Sequence, residues 1–162
     1  MKDAPLPEGE HSLTEVAPTV DRFLAAHLMG TANRLSNGAS RYYRQRFNLG
    51  MSEWRAMMAI GSHAGLIGRQ VADQADLDHA AASKSVRLLH ERGLVSLEQT
   101  NRRGRAAIVR LTPEGREIYR KLRQSALRRQ KRLLAAFTPE ETEQLWSLLQ
   151  RLRGQVPFMN GE

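Results

Sequence analysis

The segment from Gln70 to Thr112, QVADQADLDHAAASKSVRLLHERGLVSLEQTNRRGRAAIVRLT, constrains this chain more than any other. A short apolar-periodic piece ends at Asp76-Leu77-Asp78. In the helical pattern that follows, Ala82, Val86 and Leu89 recur at three- and four-residue spacing. Asp78 is placed to cap that second helix and Gly93 to end it as the C′ residue. Beyond Gly93, Leu94, Val95 and Leu97 lead to a turn at Asn101-Arg102-Arg103-Gly104. Ala107, Val109 and Leu111 then alternate with Ile108 and Arg110 on the way back. Two short strands joined by a basic loop put Arg102, Arg103 and Arg105 at the tip. Helix, turn, helix and basic hairpin, in that order, predict a helix-turn-helix followed by a β-wing.

The second helix leaves Ala80, Ala81, Ser83, Lys84 and Arg87 facing outward, with His79 just inside its start. A helix entering the major groove of DNA needs small residues for close approach and a few long donors for base edges and phosphates. The expected DNA contacts are therefore His79, Ala80, Ala81, Ser83, Lys84 and Arg87 on the helix, and Arg102, Arg103 and Arg105 on the wing. The plain alternative for Ser83, Lys84 and Arg87 is a solvated face; His79 reads equally as a phosphate donor or an ordinary surface residue. The adjacent turn and wing tip the balance toward DNA contact, and the +8 charge with an isoelectric point near 10.7 favours an anionic partner. Four of the 25 basic residues are lysines, and arginine suits bidentate phosphate and guanine contacts.

The flanks read as helices of a mainly α fold. Residues 1–17 hold Pro5, Pro7 and Gly9 with an excess of acids, the composition of a disordered arm. From Thr19 to about Phe47 a long helix is predicted, with a weak point at Asn37-Gly38. Ser52 and Glu53 suggest the cap of a helix carrying Trp54, Met57, Met58 and Ile60, ended by Gly61 to Gly65. A short helix from about Ile67 to Ala75 turns Val71 and Ala72 inward. Thr112-Pro113 starts a long helix to about Ala136, with Ile118, Leu122, Ala126, Leu133 and Phe137 on one side. Thr138-Pro139-Glu140-Glu141 repeats that cap for a last helix striped by Leu145, Leu148, Leu149 and Leu152. Such stripes at both ends of a small chain need a cover, which the same surface of a second copy supplies.

Three stretches resemble the MarR family of winged-helix transcriptional regulators: MSEWRAMMAI, AASKSVRLLHERGLV, and GRAAIVRLTPEG, where the wing runs into the next helix. The resemblance spans roughly Val20 to Arg153. It implies a dimerisation helix over 18–48, a winged helix-turn-helix DNA-binding domain over 49–112 and C-terminal dimerisation helices over 113–156, one continuous domain from 18 to 156. It further implies a homodimer that reads a pseudo-palindromic operator in double-stranded DNA, most simply as a repressor of an adjacent operon. Arg105 aligns with the arginine that such proteins insert into the minor groove. Where the family usually carries an aspartate two residues earlier, this chain has Arg103, and Leu97 stands where a basic residue is common. The entry of Arg102, Arg103 or Arg105 into the groove is left open by these departures. The resemblance also implies a small aromatic acid or phenolic effector in a cleft lined by Arg22, His27, Asn33, Trp54, Arg55 and Met58. For Trp54 and Met58 the competing reading is core packing, and for His27 an interfacial histidine.

Other classes find little support. The five histidines are scattered, with neither an HExxH pattern nor a glycine-rich phosphate loop, so neither catalysis, a metal nor a cofactor is expected. No cysteine is present, which excludes disulfides and thiol sensing. No run approaches the length of a membrane span and no apolar leader opens the chain, so a cytoplasmic protein is expected. The rival readings are a sequence-indifferent architectural nucleoid protein and a ligand-binding dimer without DNA affinity.

Overall fold

The computed structural model describes residues 23–99 and 107–161. The chain divides into two compact units, 1–51 and 52–162. In the first, α1 (Leu24–Phe47) runs without interruption through Gly38 and ends on Asn48 in the left-handed region, φ 53°. Asn tolerates that conformation better than most residues. Arg44 and Arg46 sit in the last turn, where cations complement the helix dipole, and the Arg46 guanidinium lies 4.9 Å from the centre of the Tyr42 ring. The predicted start at Thr19 lies outside the described residues; within them the helix opens at Leu24.

The second unit follows the order α2 (Met51–Gly61), β1 (Leu66–Ile67), α3 (Gly68–Ala75), α4 (His79–Glu91), β2 (Val95–Glu98), β3 (Ile108–Leu111), α5 (Pro113–Leu133) and α6 (Pro139–Asn160). The three strands form one antiparallel sheet, β1-β3-β2, pairing Leu66 with Val109 and Leu97 with the same Val109 from the other side. Met57, Ile60, Leu66, Val71, Leu89, Val95, Val109 and Leu122 build the core from four helices, α2 to α5, and all three strands.

Local chemistry explains most boundaries. The Asp78 carboxylate accepts from the Ala81 N–H at 2.7 Å and starts α4. Gly93, at φ 69°, ends it, with the Leu94 N–H returning to the Leu89 carbonyl. Thr112 starts α5 by accepting from the Gly115 N–H at 3.0 Å, with Pro113 in the first turn. Gly115 is required for a different reason: a Cβ there would run into the Leu94 backbone carbonyl, so α5 can cross the sheet end this closely only at a glycine.

Four details depart from the sequence expectation. A third strand, β1, occupies Leu66–Ile67, so Ile67 precedes α3 instead of starting it; the Gln70 side chain accepts from its N–H at 3.0 Å. Ser52 lies inside the first turn of α2, which opens at Met51. The helix α5 stops at Leu133, three residues early, as the chain turns through 134–137. The helix α6 passes Val156 and Pro157 to reach Asn160, closed by Gly161 at φ 76°.

Candidate nucleic-acid interface

The outward face of α4 is built by its own capping. With Asp78 fixing the first turn and Ala82, Val86 and Leu89 buried, the residues at 79, 80, 83, 84 and 87 are left on the open side. His79, Ala80, Ser83, Lys84 and Arg87 are all exposed, and Ala81 is half-buried at the edge of the packed face. The long donors differ in freedom. The Arg87 guanidinium is paired with Glu91 one turn on, at 3.0 Å, so a phosphate must compete for it. Buried Ser85, to which the sequence pattern assigns no role, donates its hydroxyl to the Ala81 carbonyl at 2.8 Å and so brings no unsatisfied group into the core.

Beside this face, the sheet forms the neck of the wing. Arg110 on β3 donates to Glu98 on β2 at 2.9 Å, a cross-strand ion pair one step from the loop. Arg102, Arg103 and Arg105 lie outside the described residues, so the structure bears on their anchorage alone. Between neck and helix lies a largely apolar groove of about 350 Å³ that brings His79 and Ser83 of α4 together with Leu97, Ala107 and Val109 of the wing. Leu97 is 40% exposed there, an apolar side chain on the edge of a basic surface.

A second concavity, about 330 Å³, opens between α2 and the end of α3. It collects three of the six effector candidates, Trp54, Arg55 and Met58, with His63, Gln74 and Asp76. Of the others, His27 and Asn33 are exposed on α1 in the other unit, and Arg22 lies outside the described residues. Arg55 already has a counter-ion, since its guanidinium stands 3.6 Å from Asp76. An anionic occupant would share that cation with a resident carboxylate. Asp76 has no local sequence signal beyond its place in a turn, and its second partner is Arg153 of α6 at 2.5 Å.

Charge is unevenly spread. The helix α4 holds two arginines or lysines against one acid, whereas α5 holds eight against two. One of those acids, Glu117, carries Arg120 and Lys121 on the same carboxylate, and the hydrogen bond from Arg120 holds its pKa below the ordinary 4.5. Among the described residues, no three histidine, aspartate or glutamate side chains gather as they would around a metal, and no helix is long and apolar enough to cross a membrane.

Comparison with known proteins places this geometry in a group. The MarR family model matches residues 47–106. A MarR/EmrR family transcriptional regulator from Acinetobacter sp. ADP1 is 32% identical, with 86% of this chain and 98% of that one superposed at a TM-score of 0.79. The uncharacterized HTH-type transcriptional regulator YdgJ of Bacillus subtilis is 28% identical over 109 residues, a span of 66% of each chain. Two further structures share the fold at lower identity. A MarR-family regulator from Listeria monocytogenes, solved with a 26-mer DNA, is 19% identical, with 80% of this chain and 87% of that one matched at a TM-score of 0.73. The PcaV regulator of Streptomyces coelicolor, solved with its natural ligand, is 22% identical, with 86% and 98% matched at 0.71.

Proposed function

This chain belongs to the MarR family of transcriptional regulators, and from that premise we propose that it is a homodimeric repressor of an adjacent operon, released by a small aromatic acid or phenolic effector. It is a DNA-binding regulator and not an enzyme. In this reading α4 enters the major groove through His79, Ala80, Ala81, Ser83, Lys84 and Arg87, while Arg102, Arg103 and Arg105 meet the minor groove. The observation that carries it is the capped, outward face of α4, small at its leading edge and cationic one turn later.

The dimer is supported by apolar surface that the chain leaves uncovered. Leu127 and Leu133 of α5, Phe137 in the turn that follows, and Trp146, Leu148, Val156, Phe158 and Met159 on α6 are all exposed. Large apolar side chains left exposed in such numbers support an interface there. A second copy related by a twofold axis would cover it and set two recognition helices a fixed distance apart, over the two halves of a pseudo-palindromic site in cytoplasmic DNA. The effector would occupy the cleft at Trp54, Arg55 and Met58. The PcaV regulator, solved with its natural ligand, supports the binding of a ligand by the same fold.

The decisive experiment removes three charges at once, Lys84→Ala, Arg87→Ala and Arg105→Ala. Retardation of the DNA upstream of its own gene should vanish while the dimer persists in solution; unchanged binding rejects these elements as the reading surface. One observation favours the rival architectural reading, namely that α5, and not α4, carries most of the excess positive charge. Competition with unrelated DNA separates the two, because a regulator prefers its own site by about 4–10 kcal/mol.

A further inference from the structure

We propose that Arg153 and Asp76 form a positioning link through which the last helix steadies the turn in front of the recognition helix. The inference rests on the reading of α4 as the DNA-reading element. Its centre is one carboxylate shared by two guanidiniums: Arg153 Nη2 donates to Oδ1 of Asp76 at 2.5 Å, and Arg55 Nη2 stands 3.6 Å from Oδ2. Those arginines come from α6 and α2, and the carboxylate belongs to neither helix.

Asp76 is where the direction of α4 is set. It sits in the left-handed region at φ 50°, ψ 47°, and ends α3 with its N–H turned back on Ala72 and Asp73. Leu77 donates to the Ala72 carbonyl at 3.0 Å, and Asp78 then caps α4. Two residues therefore separate the ion-paired carboxylate from the first residue of the recognition helix.

The backbone does not ask for a carboxylate at position 76. Glycine or asparagine serves a left-handed helix end at least as well. Both oxygens of Asp76 go to arginines and neither to the turn itself, so the charge answers to the two neighbouring helices. Asp76 is about half exposed and Arg153 more so. Exposed pairs shift equilibria by a few-fold and not by orders of magnitude. A link of that strength biases the recognition helix without locking it. It also passes the wall of the cleft at Arg55, so whatever moves α6 or occupies the cleft acts on the same carboxylate.

The test uses Asp76→Asn, Arg153→Gln and the double variant, with a duplex selected from a random pool by the unsubstituted protein. Asparagine retains the left-handed turn and removes the charge. Each single variant should bind about two- to fivefold more weakly at low salt. The double variant should bind no more weakly than Asp76→Asn alone, because that substitution already removes the contact Arg153 makes. The difference should close as ionic strength rises. Affinities equal to the unsubstituted protein overturn the link, as do losses that add, or melting temperatures that fall with affinity unchanged. An unsubstituted protein that selects no duplex refutes the regulator reading itself, an outcome the variants do not share.

Discussion

The Thr112 hydroxyl donates to the Gly93 carbonyl at 2.7 Å. The residue that starts α5 is thereby tied to the residue that ends α4. The same hydroxyl oxygen accepts from the Gly115 N–H, and the Thr112 N–H donates to the Leu94 carbonyl at 3.1 Å. One threonine closes the strand pair, caps a helix and anchors the end of another.

Replacing Thr112 by alanine leaves the Gly115 N–H and the Gly93 carbonyl without that hydroxyl. We expect a loss of about 1–2 kcal/mol, and serine to recover most of it. For a chain of this size the melting temperature should fall by roughly 2–8 °C for alanine, read by thermal denaturation. An alanine variant as stable as the parent would show that the hydroxyl does not support the junction.

Gly115→Ala tests the same junction by steric means. The added methyl meets a backbone carbonyl and not a yielding side chain, so α5 must shift away from Leu94. Overpacking of this kind costs about 1–3 kcal/mol. The melting temperature should fall, and amide exchange around Leu94 and Thr112 should quicken. Unaltered exchange there would mean the helix adjusts without disturbing the sheet.

Glu91→Gln should tighten DNA binding. The carboxylate holds Arg87 at 3.0 Å and lies on α4, which in the proposed function meets DNA, where it would repel phosphate. Removing it frees one guanidinium and eliminates one negative charge, worth about two- to fivefold in affinity at low salt. The salt dependence should steepen in a filter-binding or anisotropy titration. Weaker binding in this variant would indicate that Glu91 orients Arg87 instead of withholding it.

Glu117 gives a pH signature. The Arg120 hydrogen bond, with Lys121 alongside, lowers its folded pKa below 4.5. A depressed carboxylate contributes stability above its unfolded pKa and loses it as pH falls through the folded value. Its contribution is therefore present at neutral pH and disappears below about pH 4.5. In Glu117→Gln the melting temperature should drop less steeply across that acidic range than in the parent, and parallel profiles would remove Glu117 from the account.

The legible parts of this fold were the ones with local chemistry. Asp78, Gly93 and Thr112-Pro113 announced their boundaries because a cap or a left-handed glycine acts within four residues. The strand β1 carried no such mark: two residues cannot show an alternation, and its partner β3 lies beyond the entire helix-turn-helix. The early end of α5 at Leu133 was hidden for a related reason, since Leu133 and Phe137 continue the apolar spacing after the helix has stopped. In the site, the residue types facing outward on α4 followed from which ones had to be buried. The pairing of Asp76 with Arg153 did not, because oppositely charged residues far apart in sequence give no clue to which of many partners they choose. The effector candidates divide in the same way: Trp54, Arg55 and Met58 share one helix and one cleft, while the geometry of the second unit is silent on His27 and Asn33.

The pairing of Leu66 with Val109 makes the sheet a clasp around α3 and α4. The pair α3–α4 is thus an insert fastened by β1 before it and β2 after it, and the outward residues of α4 take no part in strand pairing or in the Asp78 cap. If α4 reads DNA as proposed, preference can drift at positions 79, 80, 83, 84 and 87 while the fastening stays constant, and a helix from a relative with another preference should be transplantable between Asp78 and Gly93 without rebuilding the rest.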